Sequence, residues 1–139
     1  MNISTELRHE VIAHALEDPR NEVCGVVAVE ADDSPAGSAS AVGVYRATNV
    51  HASPLKFEID PKQLLALYNK IETQGHQLGA IYHSHVRSAP YPSQTDVNFA
   101  ANWPGVEWII VGLAAGQEPE LRSYLIEQGE VREVPLQAR

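Results

Sequence analysis

Apolar positions along the chain fall into two rhythms. Leu7, Val11, Ile12, Ala15 and Leu16 recur at steps of four, one, three and one, which places them on one helical face, with Ser4 or Thr5 as N-cap and Asp18-Pro19 as the stop. Residues 23–29, VCGVVAV, form instead an unbroken apolar run of strand length, as expected for a buried strand. Residues 30–40, EADDSPAGSAS, are acidic, small and turn-forming and predict a surface loop. Val42, Val44 and Tyr45 mark a second strand leading into ATNVHASPLKFEID, where Asn49, His51 and Ser53 are polar groups in a strand-like setting. Asp60-Pro61-x-Gln63 predicts a helix start, because an acid can cap it, proline suits its first position and glutamine can close a capping box. Leu64, Leu65, Leu67, Tyr68 and Ile71 give that helix its apolar face, Gly75 ends it, and His76 is expected to complement the charge of its C-terminus.

The second half repeats the alternation. Residues 78–82 predict a strand that ends in His83 and His85, Ser93 opens another helix, and Trp103-Pro104-Gly105 stops it. Residues 106–113 read as a strand, residues 115–119 as a turn, and LRSYLI and EVREV as a hairpin across Gln128-Gly129. The expected architecture is one α/β domain over residues 1–139, of the α+β kind, with a mixed sheet flanked by helices. Successive strands without an intervening helix exclude a purely parallel doubly wound sheet, and no Gly-rich phosphate loop follows any strand.

Composition narrows the function. Of the residues, 44% are hydrophobic and 20% charged, ordinary for a globular protein. A formal net charge of −8 disfavours nucleic acid, which is held mainly through Lys and Arg on phosphates. No basic-apolar leader and no bilayer-length apolar run is evident, so the expected location is cytoplasmic, with no membrane partner. The single cysteine, Cys24, precludes an internal disulfide or a CxxC site, leaving six histidines and the carboxylates for metal chemistry.

The residues richest in chemistry lie in AIYHSHVRSAPYPSQTD. On a strand His83 and His85 point to the same side, a spacing suited to two metal ligands, and Ser84 points away. Ser93 can cap the next helix, and Asp96 in its first turn can swing back toward the histidines. Two histidines and a carboxylate make a three-ligand zinc site with one position left for water, as catalytic sites have. Such chemistry needs a proton shuttle, and a glutamate with a pKa raised by apolar surroundings serves; Glu22 and Glu58 are the candidates. Each piece also has a plainer explanation: a lone His-x-His is common, Ser-x-x-Asp is ordinarily a helix cap, and Cys24 on an apolar strand reads as a small core residue. His9 and His14, five apart, do not share a helix face and read as exposed or capping histidines.

Taken together, His-x-His, seven residues, Ser, two residues and Asp, with the upstream NEVCGVV, resemble the JAMM (MPN-plus, Mov34-like) metalloprotease motif. RATNVHASPLKFEIDP and the RSYLI strand extend the resemblance to most of residues 4–134. The resemblance implies a cytidine-deaminase-like three-layer arrangement and a zinc peptidase or isopeptidase acting at the C-terminal tail of a ubiquitin-like protein. It implies His83, His85 and Asp96 as ligands of Zn²⁺ with one bound water, Glu22 as general base and then acid, and Ser93 as hydrogen-bond donor to the oxyanion. Glu58 matches no catalytic position. Where many relatives have a glycine after the glutamate strand, this chain has Ala28-Val29-Glu30. The chain lacks the long insertions of eukaryotic deubiquitinating relatives. It is most similar to short bacterial members that remove cysteine or another adduct from the diglycine terminus of a small sulfur-carrier protein. The alternative is a metal-free MPN-type interaction scaffold; an amidohydrolase barrel does not fit the length. A homodimer is the candidate assembly.

Overall fold

The computed structural model describes residues 1–114 and 118–138. Three helices and six strands follow in the order α1 (Thr5–Glu17), β1 (Cys24–Glu30), β2 (Ala41–Ala47), α2 (Pro61–Thr73), β3 (His76–His85), α3 (Gln94–Ala100), β4 (Glu107–Gly112), β5 (Glu120–Glu127) and β6 (Glu130–Val134). The strands make one sheet ordered β2-β1-β3-β4-β5-β6. Only β3 and β4 pair in parallel; the other neighbours are antiparallel. A parallel pair needs a crossover, and the segment carrying α3 supplies it by passing over the carboxyl end of β3. That crossover decides where the site lies.

Strand alternation sorts the core into two layers. On one face Val11 and Ala15 of α1 pack with Val27, Ala80, Tyr82 and Ile109. On the other, Leu64 and Ile71 of α2 and Ala100 of α3 pack with Cys24, Val26, Ile81, Trp108 and Ile110. The result is the expected mixed sheet between helices. Val11 and Ile71 are fully buried, each worth roughly 1.5–3 kcal/mol of transfer free energy.

The helix ends follow the sequence signals, with informative exceptions. Ser4 Oγ accepts from Leu7 N at 3.2 Å, and Asp60 Oδ1 from Lys62 N at 2.7 Å. Gln63 does not close a capping box; its Oε1 accepts instead from Thr48 N at 3.0 Å, tying the preceding loop to α2. Gly75 adopts φ +81°, the left-handed conformation of a residue that ends a helix. His76 does not serve the helix terminus but opens β3, paired with Glu30. Residues 48–60 are not a strand: only an isolated bridge, Asn49 with Ile59, links them, because Asn49 takes over the backbone hydrogen bonding there. Leu16 (54% exposed), Leu65 (59%) and Tyr68 (39%) lie outside the core, so the apolar stripes are wider than the faces actually buried. The hairpin turn at Gln128-Gly129 has φ of +53° and +80°, as the twist of flanking strands favours. The predicted turn at 115–119 falls largely outside the described residues. No helix among those described is long and apolar enough to cross a membrane.

Candidate active site

The site is built at the end of β3. Ile81, His83 and His85 share the face covered by α2 and α3, and α3 begins directly above them. Ser93 caps that helix in a full capping box: its Oγ accepts from Asp96 N at 3.1 Å, and Asp96 Oδ2 accepts from Ser93 N at 2.9 Å. The box holds the carboxylate over the strand end. Asp96 Oδ2 thus lies 3.1 Å from His83 Nε2 and 3.4 Å from His85 Nε2, and the two Nε2 atoms are 3.1 Å apart.

Neighbouring contacts fix which atoms converge. His85 Nδ1 donates to Ala89 O at 2.8 Å, which places the ring proton on Nδ1 and turns the Nε2 lone pair toward His83 and Asp96. The Ala89 loop is itself pinned, since Tyr124 OH donates to Pro90 O and a Cβ on Gly112 would come 2.9 Å from Pro90 Cδ. Phe57 stacks on His83 with ring centroids 4.3 Å apart. Three lone-pair-bearing atoms forced this close repel unless protons or a cation sit among them, and together they can hold a metal ion. Burial and these contacts also set the protonation equilibria. Burial lowers His83. Burial also works against the charged form of His85, but Asp96 and the Ala89 carbonyl outweigh it and raise its pKa. For Asp96 burial is outweighed by the histidine hydrogen bonds, which hold it well below the usual carboxylate range.

Glu22 arrives on the chain that leads into β1, two residues before the strand begins. Cys24 is paired with His83, and the ladder continues one step as Ser84 N donates to Val23 O at 3.1 Å, which sets Glu22 across from His85. Ser84, whose side chain faces away from the ligands, gains a role here: its Oγ accepts from Val23 N at 2.9 Å and locks the residue next to Glu22. Glu22 is 7% exposed. Burial pushes its carboxyl up to about 7, with the His85 charge opposing and Asp96 adding to the rise. Its own backbone is held on both sides, by Ser53 O accepting from Glu22 N at 2.8 Å and by Asn49 Nδ2 donating to Glu22 O at 3.0 Å. Asn49 spends its whole side chain this way, donating also to Lys56 O at 3.0 Å and accepting from His51 N and Glu58 N at 3.1 Å each.

Glu22, His85, Ser93 and Asp96 line a cleft of about 320 Å³, walled by Pro54, Leu55 and Phe57; His83 lies fully buried. All five predicted residues therefore come together. Glu58 does not line the cleft and pairs with His51 at 2.9 Å. Cys24 is buried in the core, its thiol pushed up to about 12 by burial and then by Glu22, which makes it a poor nucleophile. His9 is exposed, but His14 is not: it is half-buried, and its Nδ1 hydrogen-bonds Tyr82 OH at 2.7 Å on the α1 face. Sequence reading missed the parts played by Asn49, Phe57 and the Ala89 carbonyl. Only Asn49 gave a signal, as a polar side chain amid apolar neighbours.

The fold and this cluster define a JAB/MPN-type domain, and the chain belongs to that family: residues 4–127 match the model of prokaryotic homologs of the JAB domain. Among its relatives is the CysO-cysteine peptidase of Mycobacterium tuberculosis, 34% identical over 134 residues, covering 96% of this chain and 88% of that protein. The desampylase of Haloferax volcanii is 35% identical over 115 residues, 79% of this chain and 78% of its own. A Desulfitobacterium hafniense protein of known solution structure superposes with a TM-score of 0.84 at 27% identity, over 99% of this chain and 93% of the other. The JAB1/MPN domain protein of Archaeoglobus fulgidus shares the fold, with a TM-score of 0.63 at 20% identity, covering 99% of this chain and 98% of that one.

Proposed function

We propose that the chain is a zinc-dependent peptidase or isopeptidase that hydrolyses the bond after the C-terminal diglycine of a small ubiquitin-like or sulfur-carrier protein, releasing cysteine or another amine. The observation that carries this reading is the meeting, in one cleft, of a carboxyl raised to about 7 with a triangle of two imidazoles and a carboxylate. The relatives' names supply the substrate class, as one is a CysO-cysteine peptidase and another a desampylase.

The ligand set suits zinc. Ligands roughly 2.0–2.1 Å from a tetrahedral zinc ion sit roughly 3.3–3.4 Å apart, close to the 3.1, 3.1 and 3.4 Å observed. His83, His85 and Asp96 would hold it. When bound, the ion supplies Lewis-acid polarisation of the scissile carbonyl and lowers the pKa of water toward about 7. Glu22 takes the proton from the attacking water, and its pKa near neutrality makes it equally able to return that proton to the leaving nitrogen. Ser93 Oγ already accepts from Asp96 N, so its hydroxyl proton remains free to donate to the developing oxyanion. A diglycine tail has no side chains to clash with the cleft walls.

The test is metal dependence. Purified protein should contain about one zinc per chain and cleave a carrier–cysteine adduct, read by intact mass; chelation should stop cleavage and added zinc restore it. Unchanged cleavage by fully chelated protein would remove the metallopeptidase reading.

A further inference from the structure

The cleft carries two cations for which the hydrolysis itself has no use, Lys56 and Arg87. Acids outnumber bases in the chain by 18 to 10, yet among the described residues neither cation makes an ion pair. Among the described lysines and arginines only Arg46, with Glu17 at 2.5 Å, and Arg122, with Glu120 and Glu133 at 2.7 and 2.8 Å, form ion pairs, so what sets Lys56 and Arg87 apart is their place in the cleft wall. Both cleft cations ride on walls fixed to the site. Lys56 O accepts from the same Asn49 amide that holds Glu22 O. Arg87 lies between His85 and Ala89, inside the loop that the His85–Ala89 hydrogen bond closes.

The chemistry of the leaving group says what two such cations can do. When the scissile nitrogen belongs to a free amino acid, its α-carboxylate carbon sits about 2.5 Å from that nitrogen, two bonds away. The carboxylate must then enter a cleft already occupied by Glu22 and Asp96, and needs positive charge to offset their repulsion. When the nitrogen is a lysine side chain of a protein, no carboxylate lies that near. We propose that Lys56 and Arg87 form a carboxylate subsite for the leaving amino acid, so that adducts of free amino acids are cleaved in preference to amide or isopeptide analogues. This rests on the hydrolysis proposed above. The other source of carboxylate is the acidic side chains of the carrier protein.

The experiment compares one carrier bearing C-terminal cysteine with the same carrier bearing cysteinamide, using zinc-loaded enzyme. Wild type should favour the free acid by about tenfold in kcat/KM, the size expected for a charge-assisted contact at a partly open site. In K56Q/R87Q the ratio should fall toward one, whereas K62Q/K70Q, which removes the same charge outside the cleft, should keep the wild-type ratio. Both cleft side chains are exposed, and zinc content of the variant reports that its site is intact. Equal cleavage of both adducts by wild type overturns the proposal, as does a preference that survives in K56Q/R87Q. If K56Q/R87Q slows both adducts by one factor with the ratio kept, the cations read the carrier and the leaving-group subsite is wrong. If zinc-loaded wild type cleaves neither cysteine adduct but does cleave a lysine-linked isopeptide of the same carrier, the leaving-group subsite is wrong and the hydrolase reading stands; if it cleaves none of the three, the hydrolase reading falls and the subsite with it.

Discussion

Replacing Glu22 by glutamine should stabilise the metal-free protein at alkaline pH and leave its stability at acid pH unchanged. Glu22 is 7% exposed, and burial raises its carboxyl from 4.5 to about 7. The folded state therefore binds this proton more tightly than the unfolded state. Stability is lost as pH rises from about 4.5, and the loss is complete above about 7. At roughly 1.4 kcal/mol per pH unit the penalty reaches about 3 kcal/mol, and water at the cleft mouth reduces this to roughly 2 kcal/mol. Glutamine has the same shape and no charge to desolvate. Urea unfolding of both proteins with a chelator present should give matching free energies at pH 4.5, whereas at pH 8 the variant should be ahead by roughly 2 kcal/mol. A difference that does not vary with pH would show that Glu22 titrates as an ordinary surface acid, and its proposed role as proton shuttle would lose its physical basis.

Three further substitutions probe the surroundings. Ser93→Ala removes the acceptor for Asp96 N and should lower stability by about 1 kcal/mol; kcat should fall by about 10²-fold with little change in KM, and Ser93→Thr should restore much of it. Asn49→Asp keeps the acceptor for His51 N and Glu58 N but loses the donors to Glu22 O and Lys56 O. Its kcat/KM should drop about tenfold, as misplacement of a proton-transfer group predicts, while zinc analysis still finds a full site. Cys24→Ala should keep activity within about twofold and cost about 1 kcal/mol in thermal unfolding, as expected for a small buried side chain; loss of cleavage in that variant would point to thiol chemistry instead.

Local signals were readable from the sequence wherever both partners lie close along the chain. Ser93 and Asp96 are three residues apart, and their capping box followed from spacing alone. His83 and His85 shared a face because strand geometry alternates. What could not be read was register. That Glu22 faces His85 depends on β1 pairing with β3 across about sixty residues, and the motif resemblance, not periodicity, selected it over Glu58. The role of Ser84 was hidden for the same reason, since its partner is the backbone of Val23. Residues 48–60 look strand-like because Val50, Leu55 and Phe57 are apolar, but Asn49 satisfies the backbone groups that a ladder would otherwise pair. The apolar character of Leu65 and Tyr68 likewise exceeded what α2 buries, because helix periodicity marks a stripe but not its width.

Glu22 is the proposed proton carrier of a metal-dependent hydrolysis, and one measurement tests that role most directly. Zinc-loaded wild type and Glu22→Gln are each incubated with a carrier–cysteine adduct in ¹⁸O-labelled water and followed by intact mass. Wild type should return the carrier with a new C-terminal carboxylate holding one ¹⁸O, while Glu22→Gln, with about one zinc per chain still bound, should be slowed by roughly 10²–10⁴-fold. Cleavage by Glu22→Gln at the wild-type rate, or label-free product from wild type, would contradict it.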